Sequence, residues 1–197
     1  MRATMAGIAG LAVLFLILPV LALLPMSVSA ARWLELPPRE LSLRWYATFF
    51  TDRDWIEATL VSLRVATGAT ALAVVLGTLA GIGLARGRFP GRAVVRTLAL
   101  SPLVVPLMVL AIALYYVFGR AGLVGTVGGL VLAHALLGVP YVVLNVEAAL
   151  RAFDVRLERA ARSLGASAWQ AFRRVYLPLS LPGVAAGSVL LFVLGLG

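Results

Sequence analysis

The chain has 197 residues, 62% hydrophobic and 13% charged, with a mean hydropathy of +1.02. A soluble domain carries about a quarter charged residues, so this composition excludes a water-soluble globule and indicates an integral membrane protein. The formal charge of +9 and the pI near 11.4 do not indicate nucleic-acid binding, because the arginines lie in the gaps between apolar runs rather than on one folded face.

All 17 basic residues are arginine. Without lysine this sequence has no Walker A motif and is not itself a P-loop ATPase. Without cysteine it has no disulfide framework, thiolate metal site or cysteine nucleophile.

A membrane-crossing helix needs about 20 apolar residues, at about 1.5 Å each, against a hydrocarbon core of about 30 Å. The first such run predicts a span near 7–29. Arg2 before it and Val28-Ser29-Ala30 after it also fit a cleaved signal peptide. An apolar signal core is only about 7–15 residues long, however, which favours an uncleaved helix. The gap from Arg32 to Glu57 mixes Arg32, Arg39, Arg44 and Arg53 with five acids and carries Trp33, Trp45, Tyr46 and Trp55. Such aromatics suit the membrane–water interface, so the gap is expected to be an external, partly helical interfacial segment. Residues 1–58 thus form a first helix plus this segment, and 59–197 the transmembrane core.

The second span is predicted near 59–84, with Arg64 close enough to its outer end to snorkel to the interface. The gap RGRFPGRAVVR that follows has four arginines and no acid. A third span is predicted near 98–118, where Pro102 and Pro106 each remove a backbone donor and kink or interrupt the helix. After the short gap at Arg120 comes a fourth span, near 124–146, containing His134 and Pro140. An ionisable group at membrane depth is a candidate functional residue. With no second histidine and no carboxylate expected at that depth, a proton relay or a metal site is not indicated. A neutral histidine bonded to a neighbouring helix is the structural alternative. Pro102, Pro106, His134 and Pro140 are therefore candidate pathway or gating residues.

Gly77-x-x-x-Gly81, Gly125-x-x-x-Gly129 and Gly183-x-x-x-Gly187 read as small-residue pairs that let helices approach closely. The last gap, with Arg151, Arg156, Arg159, Arg162, Arg173 and Arg174, precedes a fifth span near 183–197. By the positive-inside rule the second and fourth gaps and the N-terminus are expected in the cytoplasm.

The fourth gap is patterned. Leu157, Ala160, Ala161 and Leu164 fall at i, i+3, i+4 and i+7, on one helix face, with Glu158, Arg159, Arg162 and Ser163 on the rest. Two alanines between two leucines make a shallow stripe, suited to close docking. Gly165 sits where a left-handed residue can end a helix, and Ser167-Ala168-Trp169-Gln170 fits a capping box that starts another. The second helix would present Trp169, Phe172, Val175 and Tyr176, with Pro178 marking its end or a bend into the next span. An amphipathic loop on the membrane surface is the competing reading of this pattern.

The spacing Ala160-Ala161-x-x-x-Gly165, nine residues, then Val175-x-Leu177-Pro178 resembles the EAA loop of permease subunits in binding-protein-dependent ABC importers. Around it, SPLVVPLMVLAIALYYVFGRAGLVGT and LVLAHALLGVPYVVLNVEAALRAFD resemble the spermidine/putrescine-type branch of that family. The likeness runs from about Thr59 to the end of the sequence.

The resemblance implies an all-α, multi-span type I importer fold with five spans here. The family's sixth lies beyond Gly197, so the chain reads as a C-terminally truncated copy. It implies a multi-pass protein of the bacterial inner membrane that is not an enzyme and binds no cofactor. ATP and Mg would sit on partner cytoplasmic ATPase subunits, and the other partners would be a second permease subunit and an external solute-binding protein. The solute would be a polyamine or a related small molecule. In segment 148–182, Ala160 and Ala161 would be the close-contact face, Gly165 the turn, and Leu177 and Pro178 the return to the membrane. Leu157, Glu158, Arg159, Leu164, Ala166 and Ser167 would complete the coupling loop. Arg159 stands where the motif has Glu, and Glu158 lies one place earlier, on another face of the helix. The alternative class, a self-contained secondary transporter or channel, calls for internal repeats and charged groups at the midplane; neither is evident in the sequence.

Overall fold

The computed structural model describes residues 2–152, 161, 163 and 165–196. Packing divides the chain into two units, Met1–Thr59 and Leu60–Gly197. The described residues are helical apart from turns, loops and one isolated antiparallel bridge between Ser29 and Leu41.

The first unit opens with α1 (Arg2–Ser27), whose apolar side chains from Met5 to Leu24 are almost all exposed within the chain. A helix apolar all round takes lipid or another subunit as its surroundings. The chain then turns back on itself: Ala30 N–H donates to Glu40 O (2.9 Å) and Ser42 N–H to Val28 O (2.7 Å). The short helix α2 (Arg44–Thr51) is tied to this turn by Trp45 Nε1–H donating to Ala31 O (3.1 Å) and by a 2.9 Å bond from Tyr46 OH to Ser27 Oγ. Phe49 packs edge-on to Phe50 and tilted against Trp55, with ring centroids 5.1 and 5.9 Å apart. Helix α3 (Arg53–Arg86) starts where Asp52 Oδ1 accepts the N–H of Asp54 (2.9 Å), an acidic cap at the helix's positive end.

The second unit contains most of α3, then α4 (Arg92–Leu100), a 3₁₀ turn (Ser101–Leu103), α5 (Leu107–Arg120) and α6 (Val127–Arg151). It closes with α7 (Ala168–Ala171), a π-helical turn (Phe172–Tyr176) and α8 (Leu177–Leu196). Thr126 caps α6, its Oγ1 accepting from Gly129 N–H at 2.9 Å. The core forms around α6, where Ala135, Val142, Val146 and Leu150 meet Ala69, Ala73 and Ile82 of α3 and Leu191 of α8.

Glycine makes that packing possible. A Cβ on Gly77 would lie 2.6 Å from Val142 Cβ, and one on Gly81 2.9 Å from Val146 Cβ. From α8, a Cβ on Gly187 would lie 3.2 Å from Val142 Cα, and one on Gly183 3.1 Å from Ala149 Cβ. Two of the three small-residue pairs therefore flank α6, as close backbone approach in lipid requires. The third pair is corrected. Gly125 has φ +75° and lies in the turn before α6, so Gly125 and Gly129 do not share a helix face.

The third span expected near 98–118 carries the interruption that its prolines predict. Residues Arg92–Leu103 and Leu107–Arg120 are two helical pieces bent by 103°. Pro106 is the break: its ψ of 131° is extended, and α5 begins immediately after it. With 14 residues, α5 reaches only about 21 Å, short of the roughly 30 Å core. The helices long and apolar enough to cross number four, or up to five if the bent pair forms one broken span.

Candidate functional site

Two places carry the residues singled out from the sequence. The first is the helix–Gly–helix segment. Leu157, Glu158, Arg159, Ala160 and Leu164 lie outside the described residues. Ala161, partly buried, and Ser163, exposed, are helical. Gly165 has φ +81° and open space around its Cα, and Ala166 N–H donates to Ala161 O at 3.1 Å. That six-to-one bond across a left-handed glycine is the Schellman termination. The next helix starts at once: Ser167 N–H donates to Gln170 Oε1 (2.8 Å) and Gln170 N–H to Ser167 Oγ (3.2 Å). This reciprocal pair is a capping box, so two helix ends are satisfied within a few residues.

Beyond the cap, Trp169 is exposed and stacks on Phe172 with centroids 5.3 Å apart, while Phe172 and Tyr176 pack on the core. Pro178 does not end this helix, which runs from Ala168 to Leu196. The chain accommodates the proline with the π turn before it, where Leu177 N–H reaches back five residues to Phe172 O. Proline has no N–H and its ring crowds the carbonyl four residues earlier, here that of Arg174, which lies within the wide turn. Leu177 is partly buried and Pro178 exposed.

The second place is a cavity of about 600 Å³ at the break between α4 and α5. Pro102 and Pro106 line it from the break, His134 and Tyr141 from α6, and Leu191 and Gly195 from α8. Pro140 does not line it and is fully buried in α6. His134 Nδ1 pairs with Leu130 O in its own helix at 2.9 Å, not with a neighbouring helix. No carboxylate is among the cavity's lining residues. Arg64 is exposed.

One charged site was not anticipated. Glu147, one residue past the expected end of the fourth span, has a side chain only 3% exposed. Its Oε2 accepts from Arg96 of α4 at 2.9 Å and faces Arg151, one turn on, at 3.4 Å. Beside it, Arg86 at the end of α3 donates to Leu150 O at 2.8 Å. The signal was present in the sequence: Glu147 is four residues from Val143 on the buried stripe of α6, with Arg151 at i+4.

Residues 73–197 match the family described as binding-protein-dependent transport system inner membrane component. The spermidine/putrescine transport system permease protein PotC of Escherichia coli K12 is 31% identical over 182 residues, covering 92% of this chain and 69% of that protein. The molybdenum transport system permease protein ModB of the same organism is 37% identical over 160 residues, covering 75% of this chain and 69% of the relative. Among solved structures, a bacterial ABC transporter involved in the import of the acidic polysaccharide alginate superposes with a TM-score of 0.65 at 19% identity. That match covers 98% of this chain and 69% of the other.

Proposed function

Because the chain belongs to the binding-protein-dependent transport system inner membrane components, we propose that it lines a solute path across a bacterial inner membrane and is driven by a separate ABC ATPase. The Arg-rich stretches 86–96 and 151–174 face the cytoplasm together with the N-terminus. The helix ending at Gly165 docks on the ATPase, which binds ATP and Mg. A second permease subunit completes the path, and an external binding protein delivers the solute.

The observation that carries this reading is the left-handed Gly165 between a Schellman end and a capping box. It ends one helix abruptly and starts another at once, and the second runs into a span. Such a unit can pass a push at its tip along continuous helix to the membrane. Partly buried Ala161 adds a small side chain near that tip.

The solute is a polyamine such as spermidine or putrescine, or a related small molecule. The likeness to PotC extends over more of the chain than the likeness to ModB, which supports the polyamine branch. A cavity lined by His134 and Tyr141 without a carboxylate suits passage rather than tight capture of a polycation, so selection falls to the binding protein.

The test is Gly165→Asp and Ala161→Asp in the assembled importer. Both variants should insert in the membrane at wild-type levels, yet lose ATPase co-purification and labelled spermidine or putrescine uptake. Wild-type uptake in both would overturn the coupling reading. Uptake competed by molybdate rather than by polyamine would move the solute to the oxyanion class.

A further inference from the structure

We propose that Glu147 is a positioning residue that links the coupling segment to the broken helix over the cavity, acting through Arg96. The inference rests on the coupling reading above.

The geometry is direct. Glu147 sits at the last turn of α6, which ends at Arg151. In the sequence this turn leads directly into the helix–Gly–helix segment. The turn is held from two sides: by Arg86 of α3 on the Leu150 carbonyl, and by Arg96 of α4 on the Glu147 carboxylate. Helix α4 continues through Ser101–Leu103 into the 103° break, whose prolines line the cavity. Arg96 therefore joins the end of α6 to the piece of chain that borders the proposed path.

Placement decides why this link transmits force where a surface ion pair would not. An exposed pair rearranges with little cost. The Glu147 side chain is 3% exposed, and its Oε1 has no hydrogen-bond partner among the described residues. A buried carboxylate in that state holds on to Arg96, because losing it leaves the charge out of water with only the longer 3.4 Å contact to Arg151. Arg96, 40% exposed, can follow the carboxylate by swinging its long stem, but it cannot release it cheaply. Arg151, 63% exposed and on the same helix, adds charge without joining two elements. The pair thus acts as a tether: beyond the reach of the Arg96 stem, α6 and α4 move together or the pair breaks.

The experiment uses the complete importer, with its ATPase and binding protein, in lipid nanodiscs and proteoliposomes. Glu147→Gln and Arg96→Gln remove the tether, and Arg96→Lys keeps a cation at the same place. The sequence contains no cysteine, so spin labels at Arg92 and Ser163, introduced as cysteines, report the distance between α4 and the coupling segment. In the wild type, ATP should shift the labels together. In both Gln variants the label on α4 should no longer follow, and solute moved per ATP hydrolysed should fall at least tenfold while ATPase activity persists. Arg96→Lys should recover most of the coupling ratio. If both Gln variants retain the wild-type coupling ratio and label movement, the tether is wrong. If ATPase activity and uptake fall together with movement of α4 intact, Glu147 is merely structural. If the wild-type complex does not couple ATP to uptake at all, it is the parent reading that fails. Should Arg96→Gln fail to assemble, Glu147→Gln, which removes the buried charge and keeps the shape, decides alone.

Discussion

Single residues decide how closely the helices of the second unit meet. Val142 is flanked by Gly77 from α3 and Gly187 from α8, so a side chain at either glycine needs space that two helices already occupy. Gly77→Leu should lower the thermal denaturation midpoint of the detergent-solubilised protein, for an overpacking cost of about 1–3 kcal/mol. Gly83→Ala, with nothing within 4 Å of its Cβ, should leave the midpoint unchanged or raise it slightly, since alanine exceeds glycine in helix propensity by up to about 1 kcal/mol. At this scale the sequence was informative where one residue type has one use. Gly165 and the Ser167–Gln170 pair could be placed from local rules alone, because a left-handed turn and a cap are settled by neighbours in the chain. Glu147 was missed for the opposite reason: its partner Arg96 is 51 residues away, and only the fold brings the two together.

At the scale of elements, apolar length made the spans legible and Pro102 and Pro106 marked the third as kinked or interrupted, but not by how much. The third run had enough apolar residues to cross, yet Pro106 turns it by 103°. The proline was visible in the sequence. Its effect depends on whether neighbouring helices supply partners for a straight or a broken backbone, which no local pattern encodes. The capped helix after Gly165 makes a cleaner prediction. Ser167→Ala removes one half of the capping box, worth about 1 kcal/mol, and should speed amide exchange at Gln170 and Ala171 about fivefold, as read by hydrogen-exchange mass spectrometry. Unchanged exchange there would mean that the cap contributes nothing to the start of this helix.

For the whole molecule, composition and arginine placement carry the argument. An apolar chain whose charges cluster between spans can only be threaded through a bilayer in alternating directions, and the positive-inside rule selects one of the two. Single cysteines at Arg88 and at Trp33, in a sequence that has no other, should be labelled by a membrane-impermeant maleimide from opposite sides: Arg88 only in inverted vesicles, Trp33 only in intact spheroplasts. The reverse pattern would invert the orientation and place the helix–Gly–helix segment out of reach of a cytoplasmic ATPase.

The π turn at Phe172–Tyr176 has a consequence of phase. Each residue advances an α-helix by about 100°, so one residue accommodated in a wide turn rotates everything beyond it by about that angle relative to everything before it. The stretch that begins at the Ser167 cap and the stretch that presents Gly183 and Gly187 to α6 thus lie on one continuous helix with different zero points. A chain of the same length without the wide turn would aim either its tip or its glycines in the wrong direction. The five residues of the π turn therefore act as a dial, fixing which way the tip points when the glycines are seated.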